Sequence, residues 1–137
     1  MASELRVTTI ANNAGSESVD TTYVVNGSAK VWCNFQQSTS HTVRDSLNIS
    51  SLTDDGFGLT DISYTSSFDN TNYAAAGSGG RQAAASQTAY WCFPTRSTEL
   101  YSTSSTALTS GYSSGTSSYL TPHDCYLNVV SINGDLA

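Results

Sequence analysis

Gly111-Tyr112-Ser113-Ser114-Gly115 has the G-x-S-x-G spacing of a nucleophile elbow. The elbow works because a sharp strand-to-helix turn lifts the serine oxygen clear of a parallel sheet, beside backbone N–H donors. Here the motif lies within a Ser/Thr/Gly-rich stretch with no helical pattern after it, so composition alone accounts for the match. His41 and His123 are the two histidines. With Asp45 or Asp124 and a serine they spell a triad on paper, but a chain this rich in serine offers one for any pairing, and two solvated loop histidines are the plainer expectation. Cys33, His41, Cys92, His123 and Cys125 lack the close cysteine pairs of structural zinc sites. His123 and Cys125 would share a strand face, yet two ligands do not make a site. Asp54-Asp55 near Asp61 lacks the regular acidic series of a calcium loop, and a tight turn using Asp and Gly explains it. Gly77-Ser78-Gly79-Gly80 has neither the lysine nor the following helix of a phosphate-binding loop. No catalytic, cofactor-binding or metal-ligating residue is expected, and no enzyme.

The elements that would have to position such groups are strands. Charged residues are 12% of the 137 residues, about half the usual share. Serine and threonine fill roughly a third of the chain, far above ordinary usage. Eight tyrosines, four phenylalanines and two tryptophans supply the bulk, against one methionine and one lysine. Hydroxyls, β-branched residues and aromatics suit a pleated, half-buried surface and give little to a helix. The length suits one core.

Net charge is −6, and the basic residues Arg6, Lys30, Arg44, Arg81 and Arg96 are scattered. Without a basic stripe to neutralise phosphates, nucleic acid is not an expected ligand, and anionic membranes are disfavoured likewise. The apolar runs are only a few residues long, too short to span a bilayer. The opening Met1-Ala2-Ser3-Glu4-Leu5-Arg6 does not read as a secretory signal. The sequons Asn26-Gly27-Ser28 and Asn48-Ile49-Ser50 are then sequons in form only. Three buried thiols are expected of Cys33, Cys92 and Cys125, with a disulfide between two of them left open.

Along the chain, residues 1–20 read as an N-terminal arm and residues 21–137 as a β-sandwich, jelly-roll-like domain. Ala29 to Phe35 alternates cleanly, Ala29, Val31, Cys33 and Phe35 on one face and Lys30, Trp32 and Asn34 on the other. Trp32 on the nominally polar face implies that this second face is covered too. Val43 to Ile49 is the next strand. Asp54-Asp55-Gly56 turns the chain, and Leu59 to Tyr64 returns with Thr60, Ile62 and Tyr64 aligned. Tyr73 to Ala76 is a short strand, with Gly77 to Gly80 as punctuation. Ala89 to Phe93 is an apolar strand closed by Pro94. Leu100 to Ser117 reads as a long surface loop or weak hairpin. In the last strand Cys125, Leu127 and Val129 share one face, and Tyr126, Asn128, Val130 and Ile132 the other. No helix of three turns is evident. Antiparallel strands at this spacing mean a sandwich. The expected core is Val31, Cys33, Phe35, Val43, Leu47, Ile49, Ile62, Tyr90, Cys92, Leu127 and Val129.

Four segments carry a resemblance: Ser3 to Ile10 with its Asn/Gly turn, Asn26 to Phe35, Val43 to Gly56 running on to Phe68-Asp69-Asn70-Thr71-Asn72-Tyr73, and Val129 to Asp135. They are similar to small virion proteins of marine and cyanobacterial tailed bacteriophages, described as tail-fibre or structural proteins. Ser97 to Ser118 is the least matched stretch. The resemblance implies an attachment segment at the N-terminus and a β-domain that forms a homotrimer. Leu5, Val7 and Ile10 alternate imperfectly, as suits an extended segment added to a neighbour's sheet edge. The function expected is that of a non-enzymatic virion structural protein, a tail-fibre or appendage module. It would dock by its arm on other virion proteins of tail or capsid and present its β-domain to solvent, a host glycan or a receptor. Capsid decoration is the alternative, and a glycan-degrading tail module a distant third. The place implied is the virion, assembled in the host cytoplasm.

Overall fold

A computed structural model describes residues 6–37, 40–80, 89–94, 101–113 and 121–137. Two antiparallel sheets face each other across one core. Strand β3 (Ala29–Gln36) begins the body, and its period-2 alternation sends Val31, Cys33 and Phe35 inward. It lies between β4 (Thr42–Leu47) and the closing strand β11 (Leu127–Asn133), and β7 (Ala74–Gly80) completes a four-stranded sheet beyond β11. The facing sheet contains β5 (Ile49–Gly56), β6 (Leu59–Tyr64), β8 (Ala89–Phe93), β9 (Ser105–Ser113) and β10 (Thr121–Pro122). There β6 pairs with β5 and β9, while β8 and β10 both pair with the far end of β9. Ile62, Tyr64, Leu108 and Cys92 from this sheet meet Val31, Cys33, Phe35, Val130 and Ile132 from the other, and Phe68 and Tyr73 join them. The chain is an all-β antiparallel sandwich.

Ahead of the sandwich, β1 (Thr9–Ala11) and β2 (Ser18–Asp20) form a small hairpin, followed by a helix, α1 (Thr21–Gly27). Asn12 closes the hairpin loop: its Oδ1 accepts from Ser16 N at 3.1 Å, and Gly15 takes a φ of 67°. Asp20 caps α1, accepting from Thr22 N at 2.7 Å, which satisfies one of the free donors of the first turn. Residues 9–20 are therefore folded back on themselves rather than extended, and the helix was not legible in the run of β-branched residues after Asp20.

Four differences from the sequence-based expectations have physical causes. Val43 to Ile49 is not one strand. Asn48 adopts a φ of 60° and ends β4, so that β5 starts in the opposite sheet. Gly77 to Gly80 is strand, not punctuation: a Cβ on Gly77 would lie 2.5 Å from the Cys92 carbonyl oxygen, and one on Gly79 2.5 Å from that of Trp91. Only glycine lets the two backbones approach so closely. Within the stretch read as a surface loop or weak hairpin, Ser105 to Ser113 is a central strand, and its buried Thr106 hydroxyl is tolerated inside because it has phenol partners.

The last difference concerns the core. Val31, Cys33, Phe35, Ile62 and Cys92 are buried as expected, and Ile49 and Tyr90 are half-buried. Val43, Leu47, Leu127 and Val129 are exposed. Strand β11 is apolar on both faces, and it is Asn128, Val130 and Ile132 that point inward. Cys125 is buried from a segment before the strand, which misled the parity. Strand β4 is an edge, offset from β3 by a bulge at Asn34/Phe35.

Candidate functional site

The densest polar constellation lies where the end of β3 meets β6 and the segment before β11. Gln37 is buried, and its side-chain amide reads three elements at once. Its Nε2 donates to Thr60 Oγ1 at 2.9 Å. Its Oε1 accepts from Cys125 N and from Asn128 Nδ2, each at 3.0 Å. Its backbone N–H donates to the Cys125 carbonyl at 2.9 Å. This crosslink ties the two sheets together and explains why Asn128 and Thr60 are interior.

His41 attaches to the same network. Its Nε2 is 2.8 Å from Thr60 Oγ1, and its Nδ1 is 3.6 Å from Asp54 Oδ2. Carboxylate, imidazole and hydroxyl thus stand in the order of an acyl-transfer triad. Thr60 Oγ1 accepts from Gln37 Nε2 and shares a second hydrogen bond with His41 Nε2, so the hydroxyl is held on both sides. Thr60 is fully buried. A nucleophile must reach a substrate carbon, and this hydroxyl is an interior crosslink instead.

His123 belongs to another cluster. Its ring meets Phe57 edge-on at 5.1 Å and Tyr112 at 5.3 Å, and Tyr112 lies 6.3 Å from Tyr90. Gly58, at a φ of 73°, donates its N–H to Asp124 Oδ1 at 2.7 Å. That bond locks the β5–β6 turn against the chain entering β11. Ser113 is the last residue of β9, and Ser114 and Gly115 of the same motif lie outside the described residues. Asp54 faces His41, while Asp45 caps the N–H of Ser46 at 2.9 Å.

Cys33, Cys92 and Cys125 are buried free thiols. Burial pushes Cys33 and Cys92 up to about 11 and Cys125 up to about 12. They stay protonated at neutral pH, the form least able to attack or to bind a metal. Among the described residues no group of three or more His, Cys, Asp or Glu side chains is gathered closely enough to hold a metal ion. A second interior network joins Tyr64, Tyr73 and Thr106: Tyr64 OH bonds Thr106 Oγ1, and Tyr73 OH reaches Thr106 Oγ1 at 3.1 Å and the Ser102 carbonyl at 3.0 Å.

The surface features are the N-terminal hairpin and helix. Ile10 and Val19 are opposite each other across β1 and β2, both exposed. Tyr23, Val24 and Val25 on α1 are exposed as well, Tyr23 by 75%. Of residues 6–28 only Thr21 is even half-buried. Thr21 ties the helix to the hairpin through Val7 O and Thr8 O, both at 3.1 Å, and Asn133 Nδ2 ties it to the sandwich through Gly27 O at 2.8 Å. Of the arm residues singled out from sequence, Val7 and Ile10 are exposed by 45 and 48%, and Leu5 lies outside the described residues. The helix and its apolar side chains were missed. The signal was Asp20, an N-cap residue ahead of Thr21-Thr22-Tyr23.

No family model, curated protein sequence or solved structure matches this chain.

Proposed function

We propose that the chain is a non-enzymatic structural protein of a bacteriophage particle, an appendage or tail-fibre module. It docks on other virion proteins by its N-terminal hairpin and helix, and its sandwich, as a homotrimer, is presented to solvent or host. One observation carries the reading. Residues 6–28 are held in a hairpin and a helix by local hydrogen bonds, yet Ile10, Val19, Tyr23, Val24 and Val25 have no core to enter. Strands of three residues and a helix of seven are marginal in water by themselves. An apolar surface on such an element marks an interaction site.

The anchor is thus a folded device of Ile10, Val19 and Val25, rather than an extended strand alone. Interior placement of Thr60, Thr106 and the thiols supports the absence of catalysis, since the reactive atoms serve as crosslinks and packing. The test is to make particles with Ile10→Asp or Val25→Asp protein and probe the purified virions for it. Loss of the protein from particles, with unchanged thermal unfolding of the isolated chain, is the expected result. Full occupancy would remove the anchor from this segment. Labelling the particles then locates the protein, and even coverage of the shell would favour capsid decoration over an appendage.

A further inference from the structure

The outer face of the four-stranded sheet carries Trp32, Leu47, Leu127 and Val129 among its polar residues, where an antiparallel sheet facing water alternates to polar ones. Cross-strand pairing sets its rows. Leu47, Trp32, Ser131 and Ala76 form one, and Asp45, Asn34, Val129 and Ser78 the next. Leu127 stands beside Gly80 at the end of the face. Leu47, Leu127 and Val129 are exposed by 46, 37 and 37%. The residues between them on β7 are small, so nothing projects to block an approach. A shallow hollow lined by Ala76, Ser78, Val129 and Ser131 runs along this side. A groove bounded by Lys30, Leu47, Ser66 and Leu136 continues the face toward the Asn48 corner.

The charges at its rim say what covers it. Among the described residues, the cations at the rim have no acid beside them. Lys30 Nζ is held by Val25 O and Ser28 Oγ. Arg44 is held by Gln36 Oε1 at 3.2 Å and Tyr126 O at 2.7 Å, with its guanidinium 4.5 Å from the Tyr126 ring centre. Neutral oxygens and a ring leave both charges uncompensated, and they hold Arg44 in place, which lowers the ordering cost of binding. The matching charge is in the chain itself. Between Arg44 and Arg81 there is no lysine or arginine, while Asp45, Asp54, Asp55, Asp61 and Asp69 fall there. Three of them, Asp54, Asp55 and Asp61, are on the β5–β6 hairpin of the opposite sheet.

We infer that this face is a self-association surface: the apolar patch around Trp32, Leu47 and Val129 of one copy packs on a second copy, with Lys30 and Arg44 at its rim meeting the acidic β5–β6 hairpin of that neighbour. The contact joins two different surfaces, so it is heterologous and closes into a ring when the rotation permits. It rests on the homo-oligomer reading above and gives that reading a surface. The small, uncharged residues at its centre and the charges at its rim follow the anatomy of a protein interface.

The experiment is light scattering on the full-length chain over a dilution series, at low and high salt. The parent is expected at a multiple of its 14.5 kDa mass, dissociating more readily in salt as the rim charges are screened. Val129→Glu, an exposed position, is expected to shift the mass to that of one chain while leaving thermal unfolding and the far-ultraviolet spectrum unchanged. Arg44→Glu is expected to weaken association at least about tenfold. A parent chain that stays single at every concentration, or a Val129→Glu chain that associates like the parent, overturns the inference. A single chain captured through this face by a different particle protein overturns it equally. Incorporation into virions, read in the same variants, keeps the two proposals apart: a single chain that enters particles through Ile10 and Val25 sinks the self-association surface and the homotrimer but leaves the anchor, and a multimer left out of particles sinks only the anchor.

Discussion

Asn48 and Ser66 clasp each other by two reciprocal hydrogen bonds: Ser66 N donates to Asn48 Oδ1 at 2.7 Å, and Asn48 Nδ2 donates to the Ser66 carbonyl at 2.9 Å. The side-chain amide copies a β-bridge at the point where the chain leaves one sheet for the other. Asn48 can do this because, of the non-glycine residues, asparagine is among the most tolerant of the left-handed region, and its φ is 60°. Asn48→Ala therefore loses both the clasp and the conformational tolerance, at about 2–3 kcal/mol. Asn48→Gly keeps the turn and loses only the clasp, at about half that. Urea denaturation of the three proteins orders them, and an alanine variant as stable as the parent would show that the corner is held elsewhere.

A second prediction concerns the close approach of β7 to β8. A methyl at Gly77 or Gly79 meets a backbone carbonyl at 2.5 Å, and backbone cannot swing away as a side chain can. Gly77→Ala and Gly79→Ala should each cost more than the about 1 kcal/mol that alanine gains over glycine in chain entropy, giving net destabilisation. Gly27→Ala has nothing within 4 Å of the new methyl and serves as the control, with little or no loss. Thermal melts of the three variants decide it.

What was legible in the sequence divides along the same physical line. Strand β3 was read correctly because Val31, Cys33 and Phe35 alternate with Lys30, Trp32 and Asn34, and the structure keeps that parity. Strand β11 was assigned the wrong inward face because Leu127 and Val129 are as apolar as Val130 and Ile132, so hydrophobicity has no preference between them. The deciding residue is Asn128, whose interior place depends on Gln37, ninety-one positions earlier. Strand β9 was hidden in low-complexity Ser/Thr sequence because its buried Thr106 is satisfied by the phenols of Tyr64 and Tyr73, partners distant in sequence. The His41–Thr60 contact was invisible for the same reason. The arm residues Val7 and Ile10 were noticed, but the helix carrying Tyr23 and Val25 was not, since β-branched residues are poor helix formers and gave no helical signal.

The interior crosslink supplies a third prediction. Gln37→Leu removes one donor and one acceptor, leaving Cys125 N and Asn128 Nδ2 without that partner. Each buried donor so stranded costs about 1–3 kcal/mol, although Asn128 Nδ2 retains the Cys125 carbonyl. The variant should unfold at markedly lower denaturant concentration than the parent, with His41 losing its fixed position in the nuclear magnetic resonance spectrum. An isosteric loss with no change in midpoint would show that the amide is not what joins the sheets.

Alkaline pH gives a fourth. Cys33, Cys92 and Cys125 are held in the protonated form by burial, with folded-state values pushed to about 11, 11 and 12 from an ordinary value of 9.0. The unfolded chain loses these protons first, so between pH 9 and about 11 it binds fewer protons than the folded one, and stability falls as pH rises. Below pH 9 the contribution is fully present. The buried phenol of Tyr64, also pushed upward by burial, acts in the same direction. Denaturation midpoints at pH 7, 9, 10 and 11 should therefore be level at first and then decline. Cys125→Ala, which removes the most shifted thiol, should make the decline shallower; an unchanged slope would show that this thiol is not a source of it.

The last prediction separates folding from docking. Tyr23 and Val25 are 75 and 56% exposed, so replacing them removes almost no packing from the sandwich. Tyr23→Ser with Val25→Ser should leave the main thermal transition within about 0.5 kcal/mol of the parent, as for surface positions away from special features. The same pair should abolish whatever the segment binds, because on a small apolar surface one aromatic and one aliphatic anchor carry much of the hold. Comparing unfolding of the isolated protein with its recovery in purified particles reads both quantities from one preparation. A large drop in the melting transition would mean that the helix packs on the sandwich more intimately than the Asn133–Gly27 hydrogen bond implies, and that its apolar side chains belong to the fold. Unchanged melting together with unchanged recovery would mean that Ile10 and Val19 on the hairpin hold the protein without the helix. Unchanged melting with lost recovery is the outcome expected of a side-chain set kept outside the core for another chain to cover.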